Sequence, residues 1–195
     1  MAVTTEDIKG LRQRTGLSVM DCKQALEQVS GDMEKALILL RKKSSAAAAK
    51  KSSRTLGAGV VQAYVHTSQD VGALVLLSCE TDFVAKNPEF LALARDIAMH
   101  ATAMNPEFIS REQVRDADVA KARQLFEEEA ADRPADKRAA IVEGKLNSYL
   151  SECVLLDQAF VKDPSVTIRT LIEQAIQKFG ERIEVSECVR FSARA

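Results

Sequence analysis

The sequence predicts an α+β protein: three short N-terminal helices, a linker, then a core of a three-stranded antiparallel sheet packed with helices. Three observations carry this. The first forty residues place apolar side chains at helical spacing behind three separate start signals. Two strand-like runs flank a polar turn at Thr67-Ser68-Gln69-Asp70. A final alternating run, Ile183 to Phe191, follows the last helix.

Thr4 and Asp7 form a capping box, each side chain positioned to satisfy a backbone N–H at the helix start. Ile8 and Leu11 carry the apolar side, and Gly16 ends the turn. Ser18 with Asp21 opens the second helix, whose stripe is Cys22, Ala25, Leu26 and Val29. Gly31 suits a left-handed C-terminal cap. Asp32 starts the third helix, with Met33, Ala36, Leu37 and Leu40 inward. A bundle this small has little independent stability. Residues 41–55 have no apolar stripe and read as a solvated linker or a fraying helix, with Ala favouring helix and Lys adding charge. A basic RNA-binding patch is the alternative, but it comes without aromatics or a groove. The domains are therefore 1–43 (three helices), 44–55 (basic Ala/Ser/Lys linker) and 56–195 (core).

In the core, Val60, Ala63, Tyr64 and Val65 belong to the first strand. Val71 to Cys79 is nearly continuous apolar sequence, as expected of a central strand buried on both faces. Asn87-Pro88 caps a helix with stripe Phe90, Ala94, Ile97, Ala98 and Ala101. The charged stretch from Ser110 to about Leu156 is helical with a break near Arg133-Pro134. Leu125, Phe126, Ile141, Val142, Leu146, Tyr149 and Leu150 mark its buried sides. Ser165 or Thr167 opens the next helix, carrying Ile168, Leu171, Ile172, Ala175, Ile176 and Phe179, and Gly180 closes it. The last strand puts Ile183, Val185, Glu187, Val189 and Phe191 on one side, an acid interrupting the pattern.

Composition excludes several classes of function. The chain has 195 residues and a formal net charge of −1, so no global field draws it to nucleic acid or a membrane. Trp is absent and aromatics make up 5% of residues, too few for a base-stacking surface. No apolar run reaches membrane-spanning length, and no basic-then-apolar secretion signal opens the sequence. Cys22, Cys79, Cys153 and Cys188 are scattered and read as reduced, mostly packed thiols of a cytosolic protein. Cys188 alone lies near an end, within reach of an intermolecular contact. His66 and His100 cannot sustain much acid–base or metal chemistry: His100 reads as packed or capping, His66 as a hairpin residue. No phosphate cradle, nucleophile elbow or paired-Cys metal site appears. The expectation is no enzyme, no cofactor and no metal.

What remains is the stretch Ser78-Cys79-Glu80-Thr81-Asp82-Phe83-Val84-Ala85-Lys86. A Phe beside an acid at the end of a buried strand is badly placed to fill its own core. Either it is held out for a partner or it folds back onto its own helix.

These motifs together resemble the elongation factor Ts family. Leu11-Arg12-Gln13-Arg14-Thr15-Gly16, Val19-Met20-Asp21-Cys22-Lys23-Gln24-Ala25-Leu26 and Gly31-Asp32 are similar to its ubiquitin-associated-like three-helix domain. Cys79 to Asn87 is similar to its most distinctive signature, and Ile97-Ala98-Met99-His100, Asn105-Pro106-Glu107-Phe108, Val142-Glu143-Gly144-Lys145 and Gln158-Ala159-Phe160-Val161 continue the likeness. The chain has one copy of the strand–helix core where the longest members have two. It also has Phe179 where the family commonly has an aliphatic residue.

The resemblance implies a cytoplasmic guanine-nucleotide exchange factor for elongation factor Tu in protein synthesis. It would bind Tu in its GDP-bound and nucleotide-free forms and leave when GTP binds. Thr81, Asp82, Phe83 and Val84 would dislodge the Mg²⁺ of Tu. Val19, Met20 and Lys23 would contact its GTPase domain, with His66, Phe179 and Gly180 as further contacts. The short class implies a homodimer in a two-plus-two complex, with His66 coming from the second chain; neither membrane nor direct nucleic-acid binding is expected. Other readings are a three-helix module for ubiquitin-like or nascent-chain partners, which would not need the Thr-Asp-Phe-Val segment, and an RNA binder using the Lys-rich stretch.

Overall fold

The computed structural model describes residues 3–193. The chain forms two compact units: residues up to Gln62 with Val75–Arg95 and Arg169–Ser186, and Ala63–Leu74, Asp96–Ile168 and the residues from Glu187. The main sheet has the order β1 (Ala58–Val65), β2 (Val71–Cys79), β5 (Ile183–Ser192), antiparallel.

The first unit opens with α1 (Thr5–Thr15), α2 (Val19–Gln28) and α3 (Met33–Lys51). Thr4 and Asp7 make the expected capping box, and Gly16 closes α1 at φ +67°. Ser18 Oγ accepts from Asp21 N at 3.0 Å, and Asp32 Oδ1 from Lys35 N at 3.0 Å. The three helices enclose Leu11, Leu17, Cys22, Ala25, Leu26, Ala36, Leu37 and Leu40. Helix α3 continues through most of the stretch read as a linker. Ser44 is buried there, its hydroxyl bonded to the Leu40 carbonyl and to Gln177 of α8 (Ile168–Phe179). Alanine's helix propensity and this one packed point explain why the chain does not unwind after Lys43.

The same unit holds α4 (Asp82–Ala85) and the start of α5 (Pro88–Met104), where Asn87 Oδ1 accepts from Glu89 N at 2.9 Å. Phe90 is fully buried and meets Phe179 edge-on at 6.3 Å. Leu77, Cys79, Ile183 and Val185 supply the sheet's share of the core.

In the second unit, the turn from β1 to β2 is closed by His66 N donating to the Val71 carbonyl at 2.9 Å. Helices α6 (Asp116–Glu129) and α7 (Ala135–Cys153) fill the charged stretch, with the break where expected. Val142, Leu146 and Leu150 are buried as read, but Leu125 is 53% exposed. Phe126 faces inward as read, joined on that side of α6 by Val119 and Ala122. One residue turns a helix by about 100°, so a stripe misread by one position faces solvent.

A small antiparallel pair, β3 (Ala159–Phe160) with β4 (Asp163–Thr167), was not expected. Ser165 therefore lies in a strand, and α8 starts after Thr167. The sequence carries little strand signal there, because Pro164 lies inside β4 and β3 has only two residues. His100 is packed against this pair: Nδ1 accepts from Val161 N at 3.2 Å and Nε2 bonds Gln158 Oε1 at 2.9 Å. Burial holds its pKa below the ordinary imidazole value.

The expectation that β2 is buried on both faces needs correction. Ala73, Val75 and Leu77 are buried, but Leu74 is 44% exposed and Leu76 half-buried. Among the described residues nothing covers Leu74 on the strand's first half. The last strand behaves likewise: Ile183 and Val185 are buried, whereas Val189 and Phe191 beyond Glu187 are exposed.

Candidate functional site

Strand β2 runs mostly apolar to Cys79, and two polar residues, Glu80 and Thr81, follow before α4 begins at Asp82. Helix α4 is a single turn, far shorter than a helix that would hold itself together in water. Val84 fixes its inner side at 9% exposure, while Phe83 points out at 84%. Of the two fates open to Phe83, the ring is held out rather than folded back. Asp82 Oδ2 pairs with Lys86 Nζ at 2.7 Å, one helical turn on, and this bond holds the Asp82 carboxyl below its usual range.

The turn is tied down by groups the sequence did not single out. Glu181 Oε2 accepts from Glu80 N at 3.1 Å and Thr81 N at 3.0 Å; its Oε1 accepts from the Thr81 hydroxyl at 2.6 Å. In return, Glu80 Oε1 accepts from Arg182 N at 2.5 Å and from Arg54 Nη1 at 3.2 Å. The Arg182 backbone bond, with Arg54 adding to it, keeps the Glu80 carboxyl below its usual range. Arg54 also donates to the Gly180 carbonyl at 3.3 Å. Glu181 and Arg182 lie about a hundred positions from Glu80 and Thr81, and Arg54 lies 26 before Glu80, beyond any local pattern.

On α2, Val19 is 51% and Met20 61% exposed; Lys23 is exposed beside Glu27 at 3.8 Å. Phe179 is half-buried against Phe90, with Lys178 Nζ 5.9 Å from its ring centre. Gly180 adopts φ +74°, the left-handed conformation that ends α8. All these residues belong to the first unit. His66 belongs to the second, exposed at the hairpin end beside Tyr64, so the sequence-derived set is divided between the units.

The first unit thus presents a rigidly rooted turn with an aromatic ring and a carboxylate at its tip, and an apolar helix face. The family model described as "Elongation factor TS" matches residues 27–194.

The chain belongs to the elongation factor Ts family. The Elongation factor Ts of Herpetosiphon aurantiacus is 46% identical over 193 residues, covering 98% of each chain. That of Carboxydothermus hydrogenoformans is 46% identical over 191 residues, 97% of this chain and 88% of its own. That of Fervidobacterium nodosum is 44% identical over 192 residues, 97% and 98%. The near-equal lengths are those of the short form of elongation factor Ts. The function of the family is nucleotide exchange on elongation factor Tu in translation elongation; it is not an enzyme family. Among the described residues no helix is long and apolar enough to cross a membrane.

Proposed function

We propose that the turn from Thr81 to Val84 is the working end of this exchange factor, acting on the Mg²⁺ site of elongation factor Tu. A GTPase holds GDP through backbone amides, a Lys and a bridging Mg²⁺. A partner speeds release only by binding the nucleotide-free conformation better than the GDP-bound one. The coupling is reciprocal, so GTP rebinding expels the factor. Phe83 enters an apolar crevice of Tu and Asp82 brings charge toward the water-held ion. Thr81 fixes the entry to the turn, and Val84 roots it. Val19, Met20 and Lys23 dock on the GTPase domain, and Phe179 and Gly180 extend the contact. The factor works in the cytoplasm as a homodimer in a two-plus-two complex, His66 coming from the second chain; neither a membrane nor nucleic acid takes part.

The observation that carries this reading is the 84% exposure of Phe83 on a turn anchored on both sides. The test is labelled-GDP release from Tu with Phe83→Ala and Asp82→Ala factors. An exposed ring contributes little to folding, so Phe83→Ala keeps wild-type thermal stability to within about 0.5 kcal/mol. The ring's burial on Tu corresponds to a release rate slower by about tenfold to a hundredfold. Undiminished stimulation by both variants would remove the assignment.

A further inference from the structure

We propose that Glu181 is a positioning residue for nucleotide exchange, fixing the direction in which Phe83 and Asp82 are presented. The inference rests on the reading of Thr81–Val84 as the working turn. Phe83 is too exposed to be aimed by packing. Its direction comes from the backbone, which is held at two places: Val84 buried on one side, and Glu80-Thr81 on the other.

The usual device for fixing such an entry is absent. Thr81 occupies the N-cap position of α4, yet its side chain makes no capping bond. Its hydroxyl instead donates to Glu181, and the same carboxylate takes the two preceding backbone N–H groups. One side chain thus sets both the peptide orientation and the Thr81 rotamer. Glu80 returns the contact on Arg182 N, so the two segments each lend a carboxylate to the other's backbone. A reacting geometry held only by a flexible turn loses rate sharply when its support is removed.

A merely structural Glu181 would be a stability residue; a positioning one affects the exchange step. Docking through α2 does not involve Glu181, so half-saturation should stay near wild type in Glu181→Ala. GDP release at saturating factor should fall by about tenfold. Amide hydrogen exchange at Glu80 and Thr81 should accelerate in the same variant. Glu181→Gln should restore release to within about twofold, because its amide oxygen accepts both N–H groups while its NH₂ donates to the Thr81 oxygen. Phe83→Ala is run alongside. If Phe83→Ala is slow and Glu181→Ala is not, the proposal is overturned and the working turn stands. If both match wild type, the working turn fails and the proposal fails with it. A slow Glu181→Gln, or a loss explained by melting below the assay temperature, also overturns it.

Discussion

His100 is the buried titratable group whose protonation state the geometry determines. Its Nδ1 accepts from the Val161 N–H, so in the neutral ring the proton sits on Nε2 and is donated to Gln158 Oε1. A second proton would arrive at Nδ1, facing that N–H, in a site with no exposure to water. Burial therefore lowers the pKa from its ordinary 6.5. The unfolded chain then binds more protons than the folded one once pH falls below that value. The contribution to stability is complete above 6.5 and is lost as pH falls through the lower folded value. The apparent melting temperature should drop on acidification from about pH 7 to about pH 5, more steeply than in His100→Gln. At neutral pH the substitution itself should cost about 1–3 kcal/mol, the loss of a buried bonded network. Parallel pH profiles of the two proteins would show that another group titrates.

Helix ends show how far the sequence can be read. The capping box of α1, the Ser18 and Asp32 caps and the Asn87-Pro88 start of α5 all join groups within a few residues, and all four were legible. So was Gly180, whose φ of +74° closes α8. A Cβ added there meets nothing within 4 Å, so the cost of Gly180→Ala is purely conformational, about 1–2 kcal/mol. Gly180→Asn should recover part of it, since Asn tolerates the left-handed region; denaturant midpoints measure both. Equal midpoints for Ala and wild type would mean that the turn relaxes to another conformation. At Gly59 the reason for glycine is different: an added Cβ would lie 2.7 Å from the Leu77 carbonyl oxygen, so the neighbouring strand excludes a side chain. Sequence reading failed where partners are distant. Ser44 meets Gln177 and Glu181 meets Thr81 through tertiary contacts that no local period encodes, whereas the local β3–β4 pair was hidden by Pro164 and by the brevity of β3. The outward Phe83 was legible as an oddity; the carboxylate that holds its turn was not.

Strand by strand, the main sheet leaves apolar side chains in water. Val61 and Val65 are 63% and 64% exposed on β1, Leu74 is 44% exposed on β2, and Val189 and Phe191 are 46% and 65% exposed on β5. Scattered apolar residues need no explanation, but Val65, Leu74, Val189 and Phe191 are all exposed within the second unit, and we propose that a partner covers them. A second copy is the occupant proposed here, because a nearly neutral chain meets little self-repulsion and a two-fold contact needs only self-complementarity. In that pairing each chain would lend its His66 to the complex of the other. Phe191→Glu is then felt twice in one interface. Losing a buried Phe on each side, about 1.5–3 kcal/mol apiece, weakens the dimer by about a hundredfold to ten-thousandfold. Sedimentation of the factor without Tu should show a dimer for wild type and a monomer for Phe191→Glu at micromolar concentration. The monomeric variant should lose the same part of GDP release as His66→Ala, with no further loss when the two are combined. A wild-type monomer, or additive losses, would overturn the pairing.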